Sequence, residues 1–199
     1  MHRRTRGLLL LVLGAALLLG AAAMYLTQLR RDKLAGETSA ALVRVLQSGQ
    51  CSVRTEPVPT ATAELAEAPE DAPPAVQEPV AFTAGGYGLL GVLRIEALSI
   101  ELPVISTWSY ALLDIAPCRY SGPLYQNDLI ICAHNYSSHF GRLKNLRVGD
   151  IAIFTDMEEN AVTFRMVERA TLEPTDLAGM EAGDWDMTLY TCTVGGQSR

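Results

Sequence analysis

Apolar and polar positions divide the chain into three stretches of different rhythm. From Gly7 to Leu26 there is no charge at all, only a run of twenty residues dominated by Leu, Ala and Gly. As a helix rising 1.5 Å per residue, that run is about 30 Å long, the thickness of a bilayer core. A cleaved signal peptide carries an apolar region of only about 7–15 residues, so the run is expected to stay as a membrane anchor. Residues 27–49 bring helix formers, with apolar positions at Leu34, Ala41, Leu42, Val45 and Leu46 ended by Gly49. They predict a juxtamembrane helix.

The rhythm then disappears. Residues 50–86 mix Pro57, Pro59, Pro69, Pro73, Pro74 and Pro79 with Ala, Thr and acids. Such a composition buries too little apolar surface to offset the entropy of ordering it, and it predicts a disordered, self-repelling Pro/Ala/Glu-rich linker. Residues 87–199 return to short apolar runs separated by turn residues. Strands are expected at 91–95, 100–105, 128–134, 151–155, 162–170 and 186–192, and short helices at 110–115, 139–146 and 173–180. The 128–134 run is nearly all apolar, as a buried strand is, whereas Pro103 marks 100–105 as edge-like. The fold class is mostly β, a small closed barrel with short helices, preceded by a transmembrane helix and a linker.

Charge narrows the function. A net charge of −6 argues against nucleic acid, which requires a basic face. Cys51, Cys118, Cys132 and Cys192 show no metal-ligand spacing, and no metal or cofactor is expected. Residues 1–6 carry Arg3, Arg4 and Arg6, which favours an N-terminus inside and the rest of the chain outside. Arg30, Arg31 and Lys33 beyond the run make that bias less clean.

Two strand ends hold the candidate chemistry. With a period of two, Ile130, Cys132 and His134 share one face, and Thr188, Tyr190 and Cys192 share another. His134 and Cys192 thus both fall where strands give way to loops. A thiol nucleophile, an imidazole to move protons and a permanently charged guanidinium at Arg199 are the groups that acyl transfer through a thioester uses. His139 is a second candidate base. Cys132 can border the site or lie in the core, Asn135 can orient the imidazole or shape the turn, and Tyr190 and Tyr120 can line a groove or pack. The acids Glu101, Asp156, Glu158 and Glu159 lack EF-hand spacing and are read as solvated.

Together these segments resemble a family. Ala133-His134-Asn135, then His139 to Leu146 and Gly149-Asp150, is similar to the central segment of bacterial sortases. Thr188-Leu189-Tyr190-Thr191-Cys192 matches their TLxTC signature, with Arg199 downstream. The resemblance implies an eight-stranded barrel and a membrane-anchored cysteine transpeptidase/hydrolase with its catalytic domain outside the cell. By match, Cys192 is the nucleophile, His134 the general acid/base and Arg199 the oxyanion and substrate-positioning group. Thr191, Tyr190 and Asn135 are candidate substrate contacts. The implied substrates are surface proteins with a C-terminal LPxTG-like sorting signal, and the implied acceptor is an amine of a cell-wall precursor or a pilin lysine.

An ordinary thiol is only about 3% thiolate at pH 7 and an ordinary imidazole about a quarter protonated, so a slow enzyme is expected. L,D-transpeptidases also use Cys, His and Arg, but they place His and Gly directly before the cysteine, where this chain has Tyr190-Thr191. In sortases a further strand follows the arginine, so the sequence is expected to be truncated before that strand. The alternative function is an impaired, membrane-tethered β domain that binds without turnover.

Overall fold

The computed structural model describes residues 2–48, 82–173, 175–181 and 185–192. The linker core and Arg199 lie outside them. Helix α1 (His2–Gln47) is continuous, joining the apolar run and the juxtamembrane segment in one element. It is long and apolar enough, by length and composition, to cross a membrane. Its side chains from Leu8 to Leu26 are exposed. Residues from Ala35 onward form one compact unit with the β domain. There α1 buries Ala35, Ser39, Leu42 and Val43, spaced i, i+4, i+7 and i+8 along one helical face. Ala41, expected on the apolar face, is exposed.

Eight strands make one sheet: β1 (Phe82–Ala84), β2 (Tyr87–Ile95), β3 (Ile100–Ile105), β4 (Cys118–Ser121), β5 (Leu129–Cys132), β6 (Ile151–Asp156), β7 (Ala161–Arg165) and β8 (Met187–Tyr190). Their order is β7-β6-β2-β3-β4-β5-β8, with β1 added on β2. The sheet curls toward a barrel around Leu93, Ile95, Val104, Leu129, Ile131, Phe140 and Phe154. The six expected strands are present. The seventh and eighth, β1 and β4, were not expected: each is too short for its alternation to stand out, and β1 lies within 50–86, the stretch expected to be disordered linker. Strand β7 stops at Arg165, short of the expected 170. Strand β3 is not an edge: β2 and β4 flank it, and Pro103 sits in its interior opposite Val92.

Helix α2 (Tyr110–Leu113) starts at Ser109, whose side chain accepts from Leu112 N at 3.2 Å; this satisfies one of the donors a helix start leaves over. It ends at Asp114. The expected helix at 139–146 is a 3-10 helix over Phe140–Asn145, and α3 (Leu177–Glu181) follows later.

Candidate active site

Strand β5, flanked by β4 and β8, has all four side chains buried, with Leu129 and Ile131 in one core cluster and Cys132 in the other. Its pairing with β8 is parallel, Leu129 with Met187, Ile130 with Thr188, Ile131 with Leu189 and Cys132 with Tyr190. The ladder extends beyond the strands: Ala133 N donates to Tyr190 O at 3.2 Å, and Thr191 Oγ1 donates to Ala133 O at 2.8 Å. Continued by two residues, that register sets residue 134 opposite residue 192, and adjacent strands run only about 4.8 Å apart. Parallel pairing also puts both C-terminal ends on the same edge of the sheet. Cys192 is partly exposed and carries a free thiol. The Thr191 hydroxyl acts as a tie between the two strand ends.

The loop after His134 is held closed by its own backbone. His139 N and Gly141 N both donate to Tyr136 O, at 3.0 and 2.9 Å, and Phe140 N donates to His134 O at 3.2 Å. Gly141 is required by this closure, since a Cβ there would lie 2.3 Å from Asn135 O. Phe140 anchors the segment in the core. His134 is about 29% exposed, and its Nε2 lies 3.4 Å from Asp114 Oδ1. The same carboxylate oxygen accepts from Tyr136 Oη at 2.8 Å, and the rings of His134 and Tyr136 pack 4.8 Å apart. An imidazole beside a carboxylate is stabilised when it carries a proton. Asp114 went unread in the sequence because it sits twenty residues before His134, in no motif.

The other candidates separate clearly. His139 is fully buried and its Nε2 lies 3.1 Å from Ser39 Oγ. Cys132 is buried directly across from Cys118, and both are free thiols. Burial and the neighbouring Cys132 push the Cys118 thiol up to about 12, which keeps it protonated and unreactive. Tyr190 packs edge-on against Tyr120 at 5.6 Å, and Tyr120 in turn packs on Trp108 at 5.5 Å, so an aromatic row leads from an exposed surface to a position two residues before Cys192. Asp156, expected to be solvated, is instead buried, because its carboxylate accepts the backbone N–H groups of Glu158 and Asn160 and so closes the β6–β7 turn. Among the described residues no three His, Cys, Asp or Glu side chains are grouped to hold a metal ion.

The fold is a curled eight-stranded sheet in which a free cysteine and a histidine follow the C-terminal ends of two neighbouring parallel strands. A family model described as the sortase domain matches residues 93–199, more than half of the chain, and the protein belongs to the sortase family. Solved structures of similar fold include sortase C1 of Streptococcus agalactiae, with a TM-score of 0.52 and 24% identity over 59% of this chain and 66% of that one. Sortase C of Streptococcus pneumoniae gives 0.50 and 22% over 56% and 62%. Sortase A of Corynebacterium diphtheriae gives 0.51 and 18% over 57% and 58%. At these identities the likeness is one of fold, and the chain spans less than two thirds of each of the three. Comparison with curated proteins gives no match.

Proposed function

We propose that the protein is a membrane-anchored cysteine transpeptidase that cuts a C-terminal LPxTG-like sorting signal and passes the acyl group to an amine. The observation that supports this reading is the parallel β5–β8 register, which ends with Cys132 paired to Tyr190, two residues before His134 on one strand and two before Cys192 on the other. In the proposed reaction the Cys192 thiolate attacks the carbonyl carbon of the signal's Thr–Gly bond, and the oxyanion that forms accepts hydrogen bonds from Arg199, which lies outside the described residues. The C–N bond breaks and the His134 imidazolium gives its proton to the leaving amine, so a thioester remains on Cys192. An incoming amine, from a cell-wall precursor or a pilin lysine, then attacks the thioester. His134 takes the amine's proton and the thiolate is released.

Asp114 supports the charged imidazole through both steps, and Tyr190 and Asn135 flank the pair as substrate contacts. Thr191 contributes through the strand pairing it ties. The apolar helix holds the protein in the membrane with residues 1–6 inside and the domain outside.

The test is direct. Full-length protein in detergent micelles is given a fluorescent sorting-signal peptide and an excess of a small amine, and peptide–amine conjugate is measured by mass spectrometry. Conjugate from wild type and none from Cys192→Ala is the expected result. Peptide that binds with no conjugate formed would favour the binding-module reading, and conjugate that persists without Cys192 would refute the mechanism.

A further inference from the structure

Ser39 is a buried polar residue on a helix that supplies no reacting group to the proposed acyl transfer. It is 1% exposed, and its contacts are not those of an ordinary helical serine. A serine inside a helix commonly returns its hydroxyl to a carbonyl one turn back in the same helix. Here Ser39 Oγ donates to Ile115 O at 2.8 Å, across 76 residues, and lies 3.1 Å from His139 Nε2, across 100 residues. A hydroxyl has one proton. With that proton given to Ile115 O, the contact to His139 requires Nε2–H to donate to Oγ, which fixes the protonated nitrogen of a fully buried ring.

Those two partners are the immediate neighbours of the site. Ile115 follows Asp114, the carboxylate beside His134. His139 closes the loop that begins at His134, and its ring packs 5.6 Å from that of Tyr136, the other side chain on Asp114. The helix also approaches the loop closely at Gly36, where a Cβ would come within 2.8 Å of Ser138 Cβ. One hydroxyl therefore joins the segment that carries Asp114 to the loop that carries His134, and it does so from the helix whose N-terminal part is the apolar run.

We infer that Ser39 is a positioning residue for the His134–Asp114 pair, so that the C-terminal part of α1 is a working part of the acyl-transfer site. The inference rests on the reading of Cys192 and His134 as the reacting pair. Ser39 touches neither substrate nor reacting atoms. It acts by holding Ile115 and His139 at a fixed separation, and a shift of even about 1 Å in such supports can cost about 100-fold in rate.

The experiment compares full-length wild type, Ser39→Ala and Ser39→Thr in detergent micelles. Three quantities are read: peptide–amine transfer, the pH profile of Cys192 alkylation by iodoacetamide resolved by peptide mass spectrometry, and thermal unfolding. Alanine is the better helix former, so α1 itself is not weakened. Ser39→Ala is expected to lower kcat about tenfold with KM unchanged and to displace the alkylation profile, while Ser39→Thr, which keeps the hydroxyl, restores both. Wild-type kcat and an unmoved profile in Ser39→Ala would overturn the inference. So would a threonine variant no better than alanine, or an alanine variant that unfolds outright, because the hydroxyl would then serve only stability. Wild type that is alkylated at Cys192 yet transfers no peptide would instead sink the proposed function, and the alkylation arm would still read the effect of Ser39.

Discussion

Two carboxylates, Asp114 and Asp156, differ in where their partners come from: both of Asp114's named side-chain partners lie twenty or more residues away, whereas three of the four hydrogen bonds to Asp156 come from its own turn. Asp156 is buried and saturated: Oδ1 accepts from Glu158 N and Asn160 N, both at 2.8 Å, and Oδ2 accepts from Asn160 Nδ2 at 3.0 Å and from Tyr125 Oη. Burial pushes its pKa upward, but the hydrogen bonds from Tyr125 and Asn160 outweigh it, and the carboxyl is held below its usual value. Every lone pair has a donor, and most donors come from its own turn. Asp114 is about half exposed, and its side-chain partners are Tyr136 and an imidazole. A carboxylate closed by its own turn stabilises a fold; one that lies beside a partly exposed imidazole is placed to serve the proposed reaction.

The largest break in that comparison is on the imidazole itself. Replacing His134 with Ala is expected to reduce peptide–amine transfer by about 10²–10⁴-fold, the usual contribution of a positioned acid/base, with little change in thermal unfolding. A stopped assay at saturating peptide checks it, and wild-type turnover would remove His134 from the site.

Asp156→Asn is expected to act on stability alone. At pH 7 it should lower the unfolding free energy by about 1–3 kcal/mol, the scale of hydrogen bonds lost from a buried charge, while the Cys192 alkylation profile stays put. The sign with pH follows from the depressed pKa. The native state holds the carboxyl more ionised than the unfolded chain, so the contribution is complete above the ordinary value near 4 and is lost as pH falls through the lower native value. The gap between wild type and variant, read in denaturant titrations from pH 7 to 2.5, should therefore close on the acid side. A gap that widens there would contradict the network's electrostatics.

The smallest effect is expected at Asp114→Asn. Its exposure discounts the pairing to about 1 kcal/mol, which is roughly a fivefold loss in kcat. The same variant should leave stability almost unchanged at pH 7, read by thermal unfolding. A variant that lost stability and kept its rate would turn the comparison around.

The sequence carried the strands with the strongest local signal and little that depends on distance. The run from Leu129 to Cys132 is apolar throughout because β5 is covered on both sides, and the alternation from Thr188 to Cys192 reads directly as β8. Strand β4 is four residues between Pro117 and Gly122, and its alternation from Cys118 to Ser121 covers only two periods, too few to stand out. Cys192 and His134 were legible as strand-end residues, but the parallel pairing on which the proposed site depends is encoded by no local pattern. Asp114 and Ser39 were invisible for the same reason, since their partners lie 20 to 100 residues away. Leu42, Val45 and Leu46 revealed that a helix follows the apolar run. They did not reveal that its face would be buried against the domain or that Ser39 would lie at the centre of that face.

The central claim is that the β5–β8 pairing builds one acyl-transfer site from His134 and Cys192. Its most direct test is to incubate the full-length protein with a sorting-signal peptide in the absence of added amine, quench in acid, and locate the acyl mass by peptide mapping. The account predicts a hydroxylamine-sensitive acyl group on the peptide containing Cys192, and its accumulation slowed strongly in His134→Ala. An acyl group on another residue, or one that forms on Cys192 equally fast without His134, would contradict it.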